Sequence, residues 1–244
     1  EREAPEVFAA IAKAVANGRW EIVGGMWTEG DTNLSSGEAL ARSFLLAQRY
    51  FIEKLGVRSR TGWLPDNFGH IAQLPQLLRL AGINAFYHMR CGPWEGAQLY
   101  WWEAPDGSRV LAKTGQGYGV TVTPSIRTQP LKLPKSVPQQ MFVYGVGDHG
   151  GGPTRKDIMT AKRCARSRLF PAVKFSTAGQ YFDTVRPLSA GLRTHKGELQ
   201  FTLQGCYTSV AAVKRANRAL ENALQSAEAL AAAAGMLGME WPAT

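Results

Sequence analysis

The sequence predicts an α/β protein with a mostly parallel, barrel-like sheet, followed by the start of an α-helical bundle. Before residue 90, a short apolar segment, a polar loop and an amphipathic helix follow one another repeatedly. This alternation is typical of parallel β/α construction and not of a β-sandwich. After residue 187 the chain becomes rich in Ala, Leu, Glu, Lys and Arg. We therefore expect an incomplete β/α domain over residues 1–188, without its first strand, and a helical domain that begins in residues 189–244.

The first half of the chain supplies the alternating elements. Apolar residues at helical spacing predict helices over residues 7–16, 39–55 and 71–80. Ser35 or Ser36 is placed to cap the second of these helices, and Gly56 is placed to end it. Short apolar segments between the helices predict strands over residues 20–26, 57–64 and 84–89.

The second half is more varied. A turn-forming segment at residues 104–108 predicts a hairpin insert with strands over residues 98–103 and 109–113. Residues 115–140 have little periodicity and predict a long loop over the site. Further elements are expected as strands over 141–146 and 173–176, a helix from Thr154 or Asp157 to Arg166, and a long helix within 209–237.

Composition excludes several classes of protein. Of 244 residues, 45% are hydrophobic and 19% charged, which is ordinary for a folded globular protein. The net charge of +9 raises the question of nucleic acid, but the basic residues are spread along the chain, so we expect no nucleic-acid partner. No apolar run approaches the ~20 residues of a membrane span, and we expect no membrane association.

The cysteines and the chain ends carry two further expectations. Three cysteines without a CxxC spacing disfavour a disulfide framework or a cysteine-based zinc site, and favour a reducing, cytoplasmic compartment. The chain begins with Glu1 and ends in a helical segment, so we expect it to belong to a longer protein.

Acidic residues follow three of the predicted strands. Asp66 comes directly after Pro65 at the end of strand 57–64, Glu29 and Asp31 follow strand 20–26, and Asp148 follows strand 141–146. Ligands collect at the carboxyl ends of strands in parallel α/β folds. The alternative for Asp66 is that it caps the following helix.

Aromatic residues beside these carboxylates favour carbohydrate chemistry. Trp27, Phe68 and Trp94 lie in the same loops, and glycoside cleavage uses two carboxylic groups. The glycine run at residues 150–152 offers the alternative of a phosphate or anion site, although the lysine of a Walker sequence is missing.

Five segments, in the expected order, resemble glycoside hydrolase family 38 α-mannosidases, most closely the bacterial and cytosolic branch. They are residues 24–33 (GGMWTEGDTN), 37–51 (GEALARSFLLAQRYF), 63–83 (WLPDNFGHIAQLPQLLRLAGI), 143–154 (VYGVGDHGGGPT) and 204–224 (QGCYTSVAAVKRANRALENAL). The resemblance implies retaining hydrolysis of terminal α-mannosidic bonds in mannose-containing oligosaccharides.

The resemblance also implies roles for single residues. Asp66 matches the nucleophile, which in the family also ligates a catalytic zinc. Phe68 matches an aromatic that packs on the sugar, and Arg90 an arginine that contacts the nucleophile and the substrate region. The acid/base position falls on Asp148 or His149, and we favour Asp148 because a carboxylic acid with a raised pKa suits protonation of a leaving group.

The other site residues have supporting roles in this interpretation. Glu29 and Asp31 belong to a family motif near the pocket, where they support the site or contact substrate, and Trp27 beside them is a candidate substrate contact. Among the histidines His149 has the best functional claim, because His70 and His88 are expected to pack inside the protein and His195 to lie in a surface loop.

The implied zinc site is incomplete in this sequence. Of the four ligands expected from the resemblance, the chain contains only Asp66, and Gln204 stands where many relatives carry a histidine. A metal site of this kind takes at least three protein ligands, so we expect the isolated chain to be inactive. The longer protein could form an oligomer. Two rival interpretations are a non-catalytic carbohydrate- or anion-binding module and another metal-dependent hydrolase with a His/Asp triad of its own.

Overall fold

The computed structural model describes residues 1–92, 97–115, 120–123, 126, 136–147, 151–168, 172–199, 203 and 205–241. Within these ranges the helices are α1 (Pro5–Ala16), α2 (Gly37–Leu55), α3 (Leu74–Leu80), α4 (Arg155–Arg166), α5 (Ala178–Val185), α6 (Gly205–Thr208) and α7 (Ala211–Met236). The strands are β1 (Thr61–Leu64), β2 (Ala85–His88), β3 (Leu99–Glu103), β4 (Arg109–Thr114) and β5 (Thr194–Lys196). A 3₁₀ turn over Arg186–Leu188 follows α5.

The strands form one sheet in the order β1-β2-β4-β3-β5. The pairs β1–β2, β2–β4 and β3–β5 are parallel, and β3–β4 is antiparallel. In the parallel register Leu64 lies opposite His88, and His88 lies opposite Thr114. The carboxyl ends of β1, β2 and β4 therefore meet at one edge. The predicted α/β class with a mostly parallel sheet is confirmed.

The predicted hairpin is confirmed, but it is not an insert. β3 and β4 pair around a turn in which the N–H of Ala104 donates to the carbonyl of Ser108 over 2.8 Å. Gly107 in this turn has φ +83°, a conformation that favours glycine. Because β4 also pairs in parallel with β2, the hairpin forms the middle of the sheet.

The sheet is covered on both faces, as buried parallel strands require. One face packs against α2 and α3 through the buried residues Leu40, Phe44, Leu74, Leu78, Phe86, Trp102, Val110 and Ala112. The other face packs against α5 through Ala85, Leu99, Leu111, Tyr181, Phe182 and Val185. Neighbouring strand residues such as Leu111 and Ala112 alternate between the two clusters, because side chains along a strand point to opposite faces.

Local chemistry sets the helix ends. The hydroxyl of Ser36 accepts from the N–H of Ala39 at the start of α2, and Gly56 ends that helix with φ +69°. Thr154 and Asp157 form a capping box at the start of α4. The predicted cap residues of both helices are confirmed.

Three predicted strands are wrong. In the described chain, residues 20–26, 141–146 and 173–176 contain no strand. The first segment lies beside β1, where the N–H of Gly24 donates to the carbonyl of Thr61, but Gly24 and Gly25 have φ +96° and +81° and break an extended path. Val146 makes an isolated bridge with Gly151. The segment 173–176 runs instead toward Thr177, which caps α5.

Two features bear on the predicted domains. β5 lies beyond the predicted boundary at residue 188 but pairs with β3. The long helix is present as α7, and Glu228 on it pairs with Arg42 of α2 over 2.6 Å. The domain division, closure into a barrel and a helical bundle stay predictions.

Most of the predicted 115–140 loop lies outside the described residues. Among the described helices, none has the length and apolar character to cross a membrane.

Candidate active site

Asp66 lies just beyond the end of β1. Pro65 before it has no N–H to offer a neighbouring strand, so the chain leaves the sheet at this point. The Asp66 side chain is 48% exposed at the strand-end edge. Helix α3 begins at Leu74 with Gln73 at its N-cap, so the alternative that Asp66 caps this helix is wrong.

Arg90 is brought to Asp66 by the register of the sheet. Leu64 and His88 are paired across β1 and β2, and each of the two site residues follows its paired residue by the same distance along the chain. The Nε of Arg90 donates to Oδ1 of Asp66 in an ion pair. The guanidinium therefore holds the carboxylate in place at the carboxyl ends of two adjacent parallel strands.

Phe68 completes this edge of the site. The guanidinium carbon of Arg90 lies 5.3 Å from the centre of the Phe68 ring, a cation–π distance. On another side, the ring of Tyr207 lies 6.2 Å from the Phe68 ring. The backbone N–H of Phe68 donates to the Tyr207 hydroxyl over 2.8 Å. Asp66, Phe68 and Arg90 thus form one contiguous cluster.

A second loop, residues 27–36, is tied to the Asp66 loop. The carboxylate of Glu29 accepts from the backbone N–H of Asp66 over 3.1 Å. The side-chain amide of Asn67, which is buried, donates to the carbonyl of Gly30 over 2.7 Å. Glu29 therefore joins the cluster by binding the backbone N–H of Asp66 and not its carboxylate.

Asp31 and Trp27 lie in the same loop but are anchored elsewhere. The carboxylate of Asp31 accepts from the N–H groups of Asn33 and Leu34 over 2.7 and 3.3 Å, which closes a local turn. Burial raises the pKa of Asp31. The backbone N–H of Trp27 donates to Ser43, and its ring stands edge-on to Tyr50, 5.5 Å away. Both contacts of Trp27 are to α2, so the structure does not bring this ring into the Asp66 cluster.

Two histidines lie inside the protein, beneath this edge. His70 and His88 are both 0% exposed. Nε2 of His88 is 2.6 Å from the Tyr100 hydroxyl, and burial lowers the pKa of His88 to about 3. The expectation that both pack internally is confirmed. The expected surface loop at His195 is wrong, because this residue lies on β5, with Nε2 3.2 Å from the carbonyl of Glu198.

The described residues do not fit a zinc site by themselves. Within the described ranges there is no group of three His, Cys, Asp or Glu that could hold a metal ion. Asp66, the one predicted ligand in the chain, is paired with Arg90. Asp148, His149 and Trp94 lie outside the described residues.

Sequence reasoning missed the roles of Asn67 and Tyr207 in this arrangement. Asn67 joins the two loops, and Tyr207 contacts Phe68 although 139 residues separate them in the chain. Both lie inside segments that carry the family resemblance, and that is the signal by which they could have been found. Each of the two side chains contacts a backbone group of another segment, so residue spacing alone does not predict either contact.

Comparison with known proteins identifies the family. The sequence model of the glycosyl hydrolases family 38 N-terminal domain matches residues 1–198. Mouse alpha-mannosidase 2C1 is 36% identical over 241 residues, which cover 94% of this chain and 23% of the mouse protein. An alpha-mannosidase of Saccharomyces cerevisiae is 33% identical over an alignment of 254 residues. The alignment covers 96% of this chain and 23% of the yeast protein. The chain belongs to glycosyl hydrolase family 38, as the resemblance predicted.

A solved structure supports the same assignment. The crystal structure of an alpha-mannosidase from Enterococcus faecalis V583 aligns with a TM-score of 0.65 at 27% identity, over 81% of this chain and 24% of that one. The chain thus spans about a quarter of the length of the relatives it matches.

Proposed function

We propose that this chain forms the core of a catalytic domain that hydrolyses terminal α-D-mannosidic bonds in oligosaccharides with retention of configuration. One observation carries the proposal: in a chain of this family, Arg90 pairs with Asp66 at the carboxyl ends of two adjacent parallel strands. The substrate class follows from relatives that are named alpha-mannosidases.

Asp66 is the nucleophile in this proposal. One of its carboxylate oxygens attacks the anomeric carbon, the bond from that carbon to the leaving oxygen breaks, and the acid group gives its proton to that oxygen. Water then attacks the same carbon from the opposite side, loses its proton to the former acid, and releases the Asp66 carboxylate. Asp148 or His149 supplies the acid/base group, with Asp148 favoured.

The remaining site residues bind and orient. Arg90 holds the Asp66 carboxylate, and the exposed part of Phe68 packs against the sugar ring. Glu29 fixes the backbone at Asp66, and Asp31 closes the loop that carries Glu29. Trp27, 57% exposed, offers an aromatic face to a more distant part of an oligosaccharide.

We also propose a zinc cofactor and a cytoplasmic location for the protein. Members of the family are generally metal-dependent, and zinc with Asp66 as one ligand is the metal we propose. A zinc ion would polarise sugar hydroxyls. Because the described residues do not complete its ligand set, no step above depends on it, and we expect the isolated chain to show little turnover. Three unpaired cysteines, Cys91, Cys164 and Cys206, support a cytoplasmic location.

The test is hydrolysis of an aryl α-mannoside by the longest natural chain that contains this sequence. We expect turnover in the wild type, a first product with the α configuration by NMR, and loss of about 10³-fold or more in kcat for Asp66→Asn. Asp183→Asn is the matched control, because Asp183 is also paired with an arginine and is similarly exposed, but it lies on α5, outside the Asp66 cluster. Mannoside binding without turnover would favour the non-catalytic binding module, and full activity of Asp66→Asn would contradict the nucleophile.

A further inference from the structure

The Tyr207 hydroxyl binds the loop that carries Asp66. It accepts from the backbone N–H of Phe68 over 2.8 Å. The segment of Tyr207 lies beyond residue 198, where the match to the family's N-terminal domain ends.

The segment around Tyr207 is itself held in place. The ammonium of Lys214, on the first turn of α7, donates to the Tyr207 carbonyl over 2.5 Å. The Ser209 hydroxyl, directly after α6, donates to the carbonyl of Gly205 at the start of α6. On α7, Glu221 accepts from the N–H of Ser36 over 2.8 Å. These contacts fix Tyr207 relative to the start of α2, and so relative to the loop of residues 27–36.

We propose that Tyr207 is a positioning residue for Asp66: its hydroxyl fixes the Phe68 backbone and thereby the placement of the carboxylate two residues earlier. The inference rests on the proposed function, in which Asp66 attacks a sugar. Asp66 is held at its side chain by Arg90 and at its own N–H by Glu29, and the side chain of Asn67 binds the carbonyl of Gly30. Tyr207 holds the backbone N–H of Phe68, so it fixes the main chain on the carboxyl side of Asp66. Because Asn67 is held through its side chain, the backbone between Asp66 and Phe68 gains rotational freedom when the Tyr207 hydroxyl is lost.

The catalytic consequence follows from the sensitivity of displacement reactions to geometry. A misplacement of about 1 Å in a reacting group costs ~10²-fold in rate. Losing the Tyr207 hydroxyl frees the Phe68 N–H, while the contacts of the Phe68 ring with the Tyr207 ring and with the Arg90 guanidinium do not depend on that hydroxyl. The loss therefore belongs in kcat, while ground-state binding of the sugar by Phe68 and Arg90 is kept.

Tyr207→Phe in the longest natural chain is the test, because it keeps the ring against Phe68 and removes only the hydroxyl. We expect kcat for an aryl α-mannoside to fall about 10- to 100-fold, with KM within about twofold of wild type and the folded fraction unchanged. Tyr181→Phe is the matched control. The hydroxyl of this buried tyrosine on α5 has no hydrogen-bond partner among the described residues, so its removal should leave kcat unchanged.

Amide hydrogen exchange tests the same inference without substrate. Loss of a hydrogen bond of ordinary strength should speed exchange at the Phe68 amide about tenfold in Tyr207→Phe and leave it unchanged in Tyr181→Phe. If exchange at Phe68 is unchanged, or if kcat falls only in proportion to the folded fraction, the inference is overturned. If the wild type fails to cleave mannosides while exchange at Phe68 speeds up as expected, the proposed function fails and the positioning of the Asp66 loop by Tyr207 stands.

Discussion

The Glu29 carboxylate accepts a hydrogen bond from the backbone N–H of Asp66, with 3.1 Å between Oε1 and N. The two residues are 37 positions apart in the chain, and each lies in a loop at the same edge of the sheet. The Glu29 side chain thus binds the backbone of Asp66, while Arg90 binds the Asp66 side chain. The candidate nucleophile is held at two points by side chains from two different segments.

Glu29 offers a clean pair of substitutions. Glu29→Ala removes the acceptor for the Asp66 N–H, so we expect kcat for α-mannoside hydrolysis to fall about tenfold. Glu29→Gln keeps an oxygen at the same place and should retain most of the activity. Equal losses in the two variants would mean that the charge of Glu29, and not its hydrogen bond to Asp66, matters.

Arg90 should not tolerate lysine. A guanidinium donates from a planar, preorganised group, whereas an ammonium is a flexible point charge, so Arg90→Lys should lower kcat about tenfold or more. Arg60→Lys is the control, because Arg60 makes a comparable but exposed pair with Asp183. Steady-state kinetics on the two variants distinguish them. Wild-type activity in Arg90→Lys would show that a positive charge alone is sufficient beside Asp66.

Acid should destabilise the fold through His88. Burial lowers the pKa of His88 to about 3, against about 6.5 in an unfolded chain, so the unfolded state binds more protons between these values. The free energy of unfolding should therefore fall by about 2 kcal/mol from pH 7.5 to pH 5 through this residue alone. His88→Gln should show a correspondingly shallower pH dependence in urea melts. An identical slope in both proteins would contradict a neutral buried imidazole.

Lys113 should make the free energy of unfolding depend on pH in the neutral to alkaline range. This residue of β4 is 1% exposed, and burial lowers its pKa to about 7. The unfolded chain, with a lysine pKa of about 10.4, binds more protons between the two values, so stability should rise with pH across this window. We expect a gain of about 2 kcal/mol from pH 7 to pH 9 that is absent in Lys113→Met, measured by urea melts at each pH. A gain of the same size in both proteins would contradict the buried, partly deprotonated amine.

Locally determined parts of the fold were predictable. The ends of α2 and α4 follow from capping residues, and β1 and β2 follow from apolar segments between helices. The failures have physical reasons. Gly24 and Gly25 adopt positive φ within an apolar segment that otherwise favours a strand. β5 is short and mostly exposed, so it carries no alternating pattern, and it exists because the edge of β3 is available to pair with it.

Some contacts of the candidate site were likewise predictable from the sequence, and others were not. Its charged pair was predictable, because Asp66 and Arg90 follow strands and match family positions, and the parallel register brings them together. The contacts of Glu29 and Tyr207 were not, because both bind backbone N–H groups of the Asp66 loop. A backbone N–H is present at almost every position, so the sequence does not reveal which one a distant side chain will contact.

In the proposed mechanism Asp66 forms a covalent bond to the sugar. The most direct measurement traps this intermediate with a fluorinated mannosyl fluoride and locates the added mass after tryptic digestion. Cleavage after Arg60 and Arg79 releases Asp66 in the peptide of residues 61–79, in which it is the sole carboxylate side chain. We predict that the sugar mass lies on Asp66 in this peptide and is absent from Asp66→Asn. A label on a different peptide, or turnover of the reagent by Asp66→Asn at the wild-type rate, would show that Asp66 is not the nucleophile.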